Sequence, residues 1–232
     1  MAVAKISKAM ILAAGLGTRM RPLTNTMPKP VLPIGSTTPI ELAIETLKRA
    51  GINDIVINLH HLPEKIKERL GDGSSHNIHI TYSFEPVILG TGGGIKNVEG
   101  FFGDKPFILY NCDVISNIDI PSLIATHFMR NAAATLVVRG HEENYTRVDI
   151  DANGYLKDFG SGQFMYASVA VLTRELLNAL PPKGKASCLI NDGLKKLITN
   201  KKNIATYLHG GDWYDIGTIE KYQALISSGA LK

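Results

Sequence analysis

The 232-residue chain is 44% hydrophobic and 20% charged, an ordinary globular composition at a length that suits one large domain or two small ones. Its 25 basic and 21 acidic residues are scattered, so the net charge of +4 builds no basic stripe and no nucleic-acid partner is expected. Two cysteines, Cys112 and Cys188, exclude a disulfide framework and a paired-cysteine metal site. The apolar runs fall far short of the roughly 18 residues that span a bilayer, which excludes a membrane-crossing helix.

The first apolar run, residues 9–14, is short and stops at Gly15, which predicts a strand buried on both faces. Helix signals follow over residues 39–50, where Ala43, Ile44, Leu47 and Ala50 keep helical spacing and Gly51 supplies the cap. A strand is expected over residues 54–59, a helix over 63–70 and a strand over 78–83. The glycines at 92 to 94 open a helix running to Asn97, and a strand over residues 106–110 ends at Asn111-Cys-Asp113. A helix near residues 121–130, a strand over 133–139, mixed strands from 147 to 172, and closing helices over 189–198 and 218–227 complete the pattern. Alternating strands and helices predict an α/β fold, a Rossmann-like and mainly parallel sheet flanked by helices. No linker, charge block or repeat divides it, and glycines and arginines interrupt the N-terminal apolar run before it could form a signal sequence. One compact cytoplasmic domain over residues 1–232 is therefore expected.

The loop after the first strand carries the chemistry. Gly15 and Gly17 accept backbone conformations closed to other residues and let a bulky anion approach main-chain N–H groups. Arg19 and Arg21 add forked donors and Lys29 a point charge. Pro22, Pro28, Pro30 and Pro33 bar a long helix up to Ile34, which predicts a loop wrapped over a ligand rather than packed inside. A solvated Gly/Pro-rich connection is the alternative reading of the same residues. No Lys-Ser/Thr pair follows Gly17, so this is not a Walker loop. Met20 and the segment Asn58-Leu-His-His61 stand where a dinucleotide fingerprint needs a small residue and an acid, which argues against NAD. His60 and His61 read as loop residues, since neighbours on a strand point apart and no carboxylate joins them. In open parallel sheets ligands bind beyond the carboxyl ends of strands, and both the Gly15 loop and the Asp113 turn follow strands.

Gly15-Leu-Gly-Thr-Arg-Met-Arg-Pro-Leu-Thr24 followed by Pro28-Lys-Pro30 resembles the signature of the sugar-1-phosphate nucleotidylyltransferases, or NDP-sugar pyrophosphorylases. Three further landmarks stand in that family's order: Gly90-Thr-Gly-Gly-Gly94, Asn111-Cys-Asp113 and Trp213-Tyr-Asp-Ile-Gly-Thr218. The resemblance implies attack by a sugar 1-phosphate on the α-phosphorus of a nucleoside triphosphate, with Mg2+ as cofactor. It makes Arg19 and Lys29 catalytic, Arg19 toward the leaving phosphates and Lys29 toward the α-phosphate. Ala13, Ala14, Gly15, Gly17 and Thr18, with Gly90, Thr91, Gly92 and Gly93, become nucleotide-binding. Asn111, Asp151, Asn153, Tyr166 and Trp213 become sugar-binding, and Asp113 and Asp215 the metal carboxylates. Magnesium does take one or two protein carboxylates and fills its other positions with phosphate and water. Read alone, Asp113 is equally a strand-end turn acid and Asp215 a helix cap near Thr218.

The chain departs from the family where larger relatives carry a Glu-Lys-Pro segment, since Tyr155-Leu-Lys-Asp-Phe-Gly160 offers only Lys157 there. It departs again where a sugar-contacting glycine is replaced within Tyr166-Ala-Ser168. The triple glycine is most similar to that of N-acetylmuramic acid 1-phosphate uridylyltransferases, with mannose or heptose 1-phosphate guanylyltransferases close behind. A cytidylyltransferase, a non-catalytic nucleotide-sensing subunit, and a monomer or small homo-oligomer stay open at this stage.

Overall fold

The computed structural model describes residues 5–229. In chain order it contains β1 (Lys8–Leu12), α1 (Pro39–Arg49), β2 (Asp54–Leu59), α2 (Pro63–Leu70), β3 (His79–Phe84), α3 (Gly90–Asn97) and α4 (Glu99–Phe102). Then follow β4 (Phe107–Asn111), β5 (Val114–Ser116), α5 (Ile120–Arg130), β6 (Ala134–Gly140), β7 (Arg147–Ile150), β8 (Leu156–Phe159) and β9 (Phe164–Leu172). The last elements are α6 (Arg174–Ala179), α7 (Lys195–Thr199), β10 (Ile204–Leu208), β11 (Trp213–Asp215) and α8 (Ile219–Ser228). The alternation expected of an α/β chain is present, with element ends within a residue or two of expectation for most strands and helices.

The described chain forms two compact units, neither of them a continuous stretch of sequence. One comprises residues 5–8, Leu89–Leu109 and Asp119–Gly210; the other comprises Ala9–Ile88, Tyr110–Ile118 and residues 211–229. Strand β4 contributes its first three residues to the former and its last two to the latter.

In the second unit the end of β4, then β1, β2 and β3, lie side by side, with β2 and β3 parallel from Asp54↔His79 to Leu59↔Phe84. Five of the six β2 residues are buried, as an interior parallel strand requires. Helix α1 starts with Pro39 in its first turn, where a missing N–H costs nothing, and the Thr38 hydroxyl donates to Glu41 Oε2 at 2.8 Å. It ends as expected: Gly51, at φ +77°, donates its N–H to Lys48 O while Ile52 donates to Leu47 O. A separate antiparallel ladder pairs β5 with β11 through Val114↔Asp215, Ile115↔Tyr214 and Ser116↔Trp213.

The proline-rich segment departs from expectation. It folds into three short 3-10 turns, Thr18–Met20, Leu23–Asn25 and Lys29–Val31, with Pro28 and Pro30 buried. Met20, Leu32 and Ile34 enter a core cluster with Ile115, Ile216, Tyr222 and Leu225. The prolines exclude a helix but not packing, because a 3-10 turn needs few N–H donors and the apolar residues between prolines gain by burial.

In the first unit β10, β6, β9 and the start of β4 lie in that order. Strand β10 runs parallel to β6, whereas β9 is antiparallel to β6, and β7 is antiparallel to both β8 and β9. The sheet is thus mixed. Between Leu136↔Ala170 and Val138↔Tyr166 the β9 strand carries extra residues, a bulge in which Ser168 adopts φ +62°. The helix expected over residues 189–198 is split, since Leu189–Leu194 forms a π-helical turn before α7. There the Cys188 N–H donates to Asp192 Oδ2, and the Leu189 N–H to Thr91 Oγ1. Among the described residues no helix is long and apolar enough to cross a membrane.

Candidate active site

The second unit gathers the glycine loop, Lys29, Asp113 and Asp215. The loop leaves β1 through Ala13, whose N–H donates to Asn58 Oδ1 at 2.8 Å; Asn58 Nδ2 in turn donates to Glu85 Oε1 at 2.8 Å. Asn58 and Glu85 are both buried, so a polar brace fixes where the loop begins. The signal for it is Asn58, a polar residue within the otherwise apolar run 55–59, which sequence reasoning used only to argue against NAD. Gly17 must be glycine: it sits at φ +62°, and a Cβ there would lie 2.8 Å from Thr24 Cγ2. The Thr24 hydroxyl donates to Gly17 O at 2.7 Å and closes the loop from below. Gly15 is exposed with open space where a side chain would stand, so its main chain faces solvent.

Lys29 begins the third 3-10 turn and places its ammonium Nζ 2.5 Å from Asp113 Oδ2. Their side chains are 13% and 23% exposed, sheltered enough to matter and open enough to reach a ligand. Burial acts to lower the ammonium pKa, but Asp113, Cys112 and Asp215 outweigh it, and Lys29 is held above its ordinary value. Burial, with Asp113 beside it, pushes the Cys112 thiol up to about 12, so that sulfur is no nucleophile. Cys188 is only half-buried.

Asp113 occupies the turn between β4 and β5, and its carbonyl accepts the Ile216 N–H at 3.1 Å. The β5–β11 register sets Asp215 opposite Val114, so it comes beside the residue that follows Asp113 although about a hundred positions separate the two acids in sequence. The helix-cap reading of Asp215 does not hold, because it ends a strand and Thr218 itself caps α8 by accepting the Lys221 N–H. A Cβ on Gly217 would lie 2.9 Å from Asp215 Oδ1 and 3.2 Å from Arg19 Nη2, which puts the Arg19 guanidinium and the Asp215 carboxylate around one glycine. Asp215 Oδ2 also receives Lys221 Nζ at 3.3 Å, a contact sequence reasoning missed. Asn111 is half-buried at the end of β4, and Trp213 is buried opposite Ser116. His60 and His61 lie beyond β2 as expected, their ring nitrogens bonded to Glu85 O and Thr24 O, both at 2.7 Å.

Among the described residues no group of three or more His, Cys, Asp or Glu side chains could cage a metal ion. A carboxylate in the turn before β5 and one at the end of β11 do fit a cation that takes two protein oxygens and completes its shell with phosphate and water.

The remaining candidates lie in the first unit. Helix α3 starts at Gly90 rather than Gly92, and the segment around Ser187 packs against its first turn. The Gly92 and Gly93 N–H groups donate to Ser187 O, and a Cβ on Gly93 would stand 2.5 Å from Lys185 O. The glycine run therefore has a packing reason of its own. Gly93→Ala is expected to cost about 1–3 kcal/mol, seen as a lower urea midpoint; a wild-type midpoint would mean that the 185–188 segment yields freely. Asp151 Oδ1 accepts the N–H groups of Asn153 and Tyr155, which makes it the brace of the β7–β8 turn, and Arg130 donates to Asn153 O. Tyr166 is half-buried with a buried hydroxyl that has no partner among the described residues. Lys157 is exposed and paired with Asp149 at 2.9 Å.

One unit thus holds a glycine loop after a strand, a sheltered lysine on a carboxylate and a second carboxylate at the end of β11, groups of the kind that phosphate and cation binding require. The chain belongs to the nucleotidyl transferase family, whose model matches residues 8–228. It is 30% identical over 238 residues to the UTP–glucose-1-phosphate uridylyltransferase of Synechocystis sp., covering 93% of this chain and 61% of that protein. It is 46% identical over 120 residues to the N-acetylmuramate α-1-phosphate uridylyltransferase of Neisseria meningitidis, covering 51% of this chain and 52% of that one. The chain thus spans between half and three fifths of these relatives. A solved Bacillus anthracis protein in complex with sucrose shares the fold, with a TM-score of 0.87 over 97% of this chain and 96% of that one at 19% identity.

Proposed function

We propose that the chain transfers a nucleoside monophosphate from a nucleoside triphosphate to a sugar 1-phosphate, with UTP and N-acetylmuramic acid 1-phosphate as its pair. The observation that carries this reading is the Lys29–Asp113 ion pair beside Asp215 and the open Gly15 loop. Both curated relatives described above are named uridylyltransferases, which favours the pyrimidine nucleotide.

A non-bridging oxygen of the sugar phosphate attacks the α-phosphorus; the bond from that phosphorus to the bridging oxygen breaks, and pyrophosphate leaves with the electron pair. The attacking oxygen is already ionised, so no general base is needed. Two polyanions must meet, and charge neutralisation with in-line positioning supplies most of the rate. Main-chain N–H groups from Gly15 to Thr18, with Arg19, hold the triphosphate. Lys29 stabilises charge developing on the α-phosphate, and Asn111 and Trp213 face the sugar. Asp113 and Asp215 would hold Mg2+, which when bound neutralises phosphate oxygens.

Pyrophosphate release from four nucleoside triphosphates against several sugar 1-phosphates, with magnesium, tests the reading. Release with UTP and N-acetylmuramic acid 1-phosphate is expected. Silence for every pair while nucleotide still binds would replace the enzyme by a nucleotide sensor, and release with GTP and mannose 1-phosphate alone would replace the substrates.

A further inference from the structure

We infer that Lys221 is a built-in counter-ion of Asp215 that weakens divalent-cation binding to the nucleotide-free protein. The inference rests on the proposed cation role of Asp113 and Asp215 and adds a residue to it. Each carboxylate already carries an ammonium: Lys29 Nζ lies 2.5 Å from Asp113 Oδ2, and Lys221 Nζ lies 3.3 Å from Asp215 Oδ2. A doubly charged ion arriving at this pair meets two carboxylates whose field is largely cancelled.

The two lysines are not equivalent. Lys29 is 13% exposed on a proline-bounded turn, whereas Lys221 is 43% exposed on a helix, where water offsets more of the ion pair when it opens. Its position breaks a local rule. Lys221 stands in the first turn of α8, where the positive end of the helix favours acids and disfavours a cation. Helix α8 is nonetheless held firmly there, by the Thr218 cap and by the Tyr222 hydroxyl, which donates to Pro33 O at 2.5 Å. A lysine kept against the helix dipole, on an anchored turn aimed at Asp215, is accounted for by that carboxylate. The protein thereby keeps its cation site neutralised until a nucleotide supplies phosphate ligands along with the metal.

Titration of the whole protein with Mn2+, following free Mn2+ by electron paramagnetic resonance without nucleotide, tests this. Lys221→Met is expected to tighten Mn2+ binding about 3- to 10-fold, and Lys221→Arg to leave it within about 2-fold of wild type. Unchanged or weaker binding in Lys221→Met overturns the inference, and so does equal tightening in Lys221→Arg, which would trace the effect to packing rather than charge. Asp215→Asn separates the two levels. If it abolishes Mn2+ binding in the presence of UTP while Lys221→Met changes nothing, the carboxylate reading stands and Lys221 falls. If Mn2+ binding with UTP ignores both Asp113→Asn and Asp215→Asn, both readings fall together.

Discussion

Replacing Lys29 by methionine is expected to lower turnover by roughly 10³-fold, the scale on which one preorganised charge at a transferring group acts. The ammonium is placed by a turn that Pro28 and Pro30 restrict, so little reorganisation is needed when charge builds on the α-phosphate. The substitution also strips Asp113 of its partner at 2.5 Å, and a sheltered carboxylate left alone costs about 1–3 kcal/mol of stability. Pyrophosphate release should therefore be read below the melting temperature of the variant, with nucleotide binding as the control. Turnover within tenfold of wild type would remove Lys29 from the chemistry.

Acidification from pH 6.5 to 4 is expected to remove about 3 kcal/mol of folding stability through His127. The imidazole lies in the first unit, 3% exposed on α5, with Nδ1 bonded to Thr135 Oγ1 at 2.9 Å. Burial pushes its pKa down from 6.5 to about 4. The folded state then binds fewer protons than the unfolded chain throughout that window, and stability rises with pH. The contribution is complete above about 6.5 and gone below about 4. Depressed carboxylates such as Glu41 add an acid limb that sets in as the pH falls through the ordinary carboxylate value and is complete below their lowered pKa. Urea midpoints between pH 7 and 4 check the claim. In His127→Gln the slope above pH 5 should flatten, and a slope equal to wild type would assign the loss elsewhere.

Local patterns made most of the fold readable. Residues 55–59 are apolar apart from Asn58, the helix that ends before Gly51 carries its own stop signal, and both elements are found where expected. The short elements were not readable. Strands β5 and β11 have three residues each, too few for any periodicity, and they exist because each satisfies the other. The site divides along the same line. Glycines 15 and 17 and the Pro28-Lys-Pro30 segment are the part of the proposed site that the sequence itself suggests. That Lys29 rests on Asp113 follows only from pairing that joins distant segments, while Lys221 meets Asp215 across the short turn from β11 into α8. Buried Pro28 and Pro30 show the converse, a stretch whose composition suggests an open wrap but whose interleaved Met20, Leu32 and Ile34 draw it into a core.

The β5–β11 ladder also bears on how the protein comes to be active. Pairing Val114 with Asp215 closes a loop of about a hundred residues, and such non-local contacts repay their closure entropy only after both ends are ordered. Helical signal and strand burial can build up while Asp113 still has no Asp215 beside it. On the proposed reaction, recovery of activity during refolding therefore times the closing of this one ladder, and a chain can look folded by its backbone well before its two acids meet.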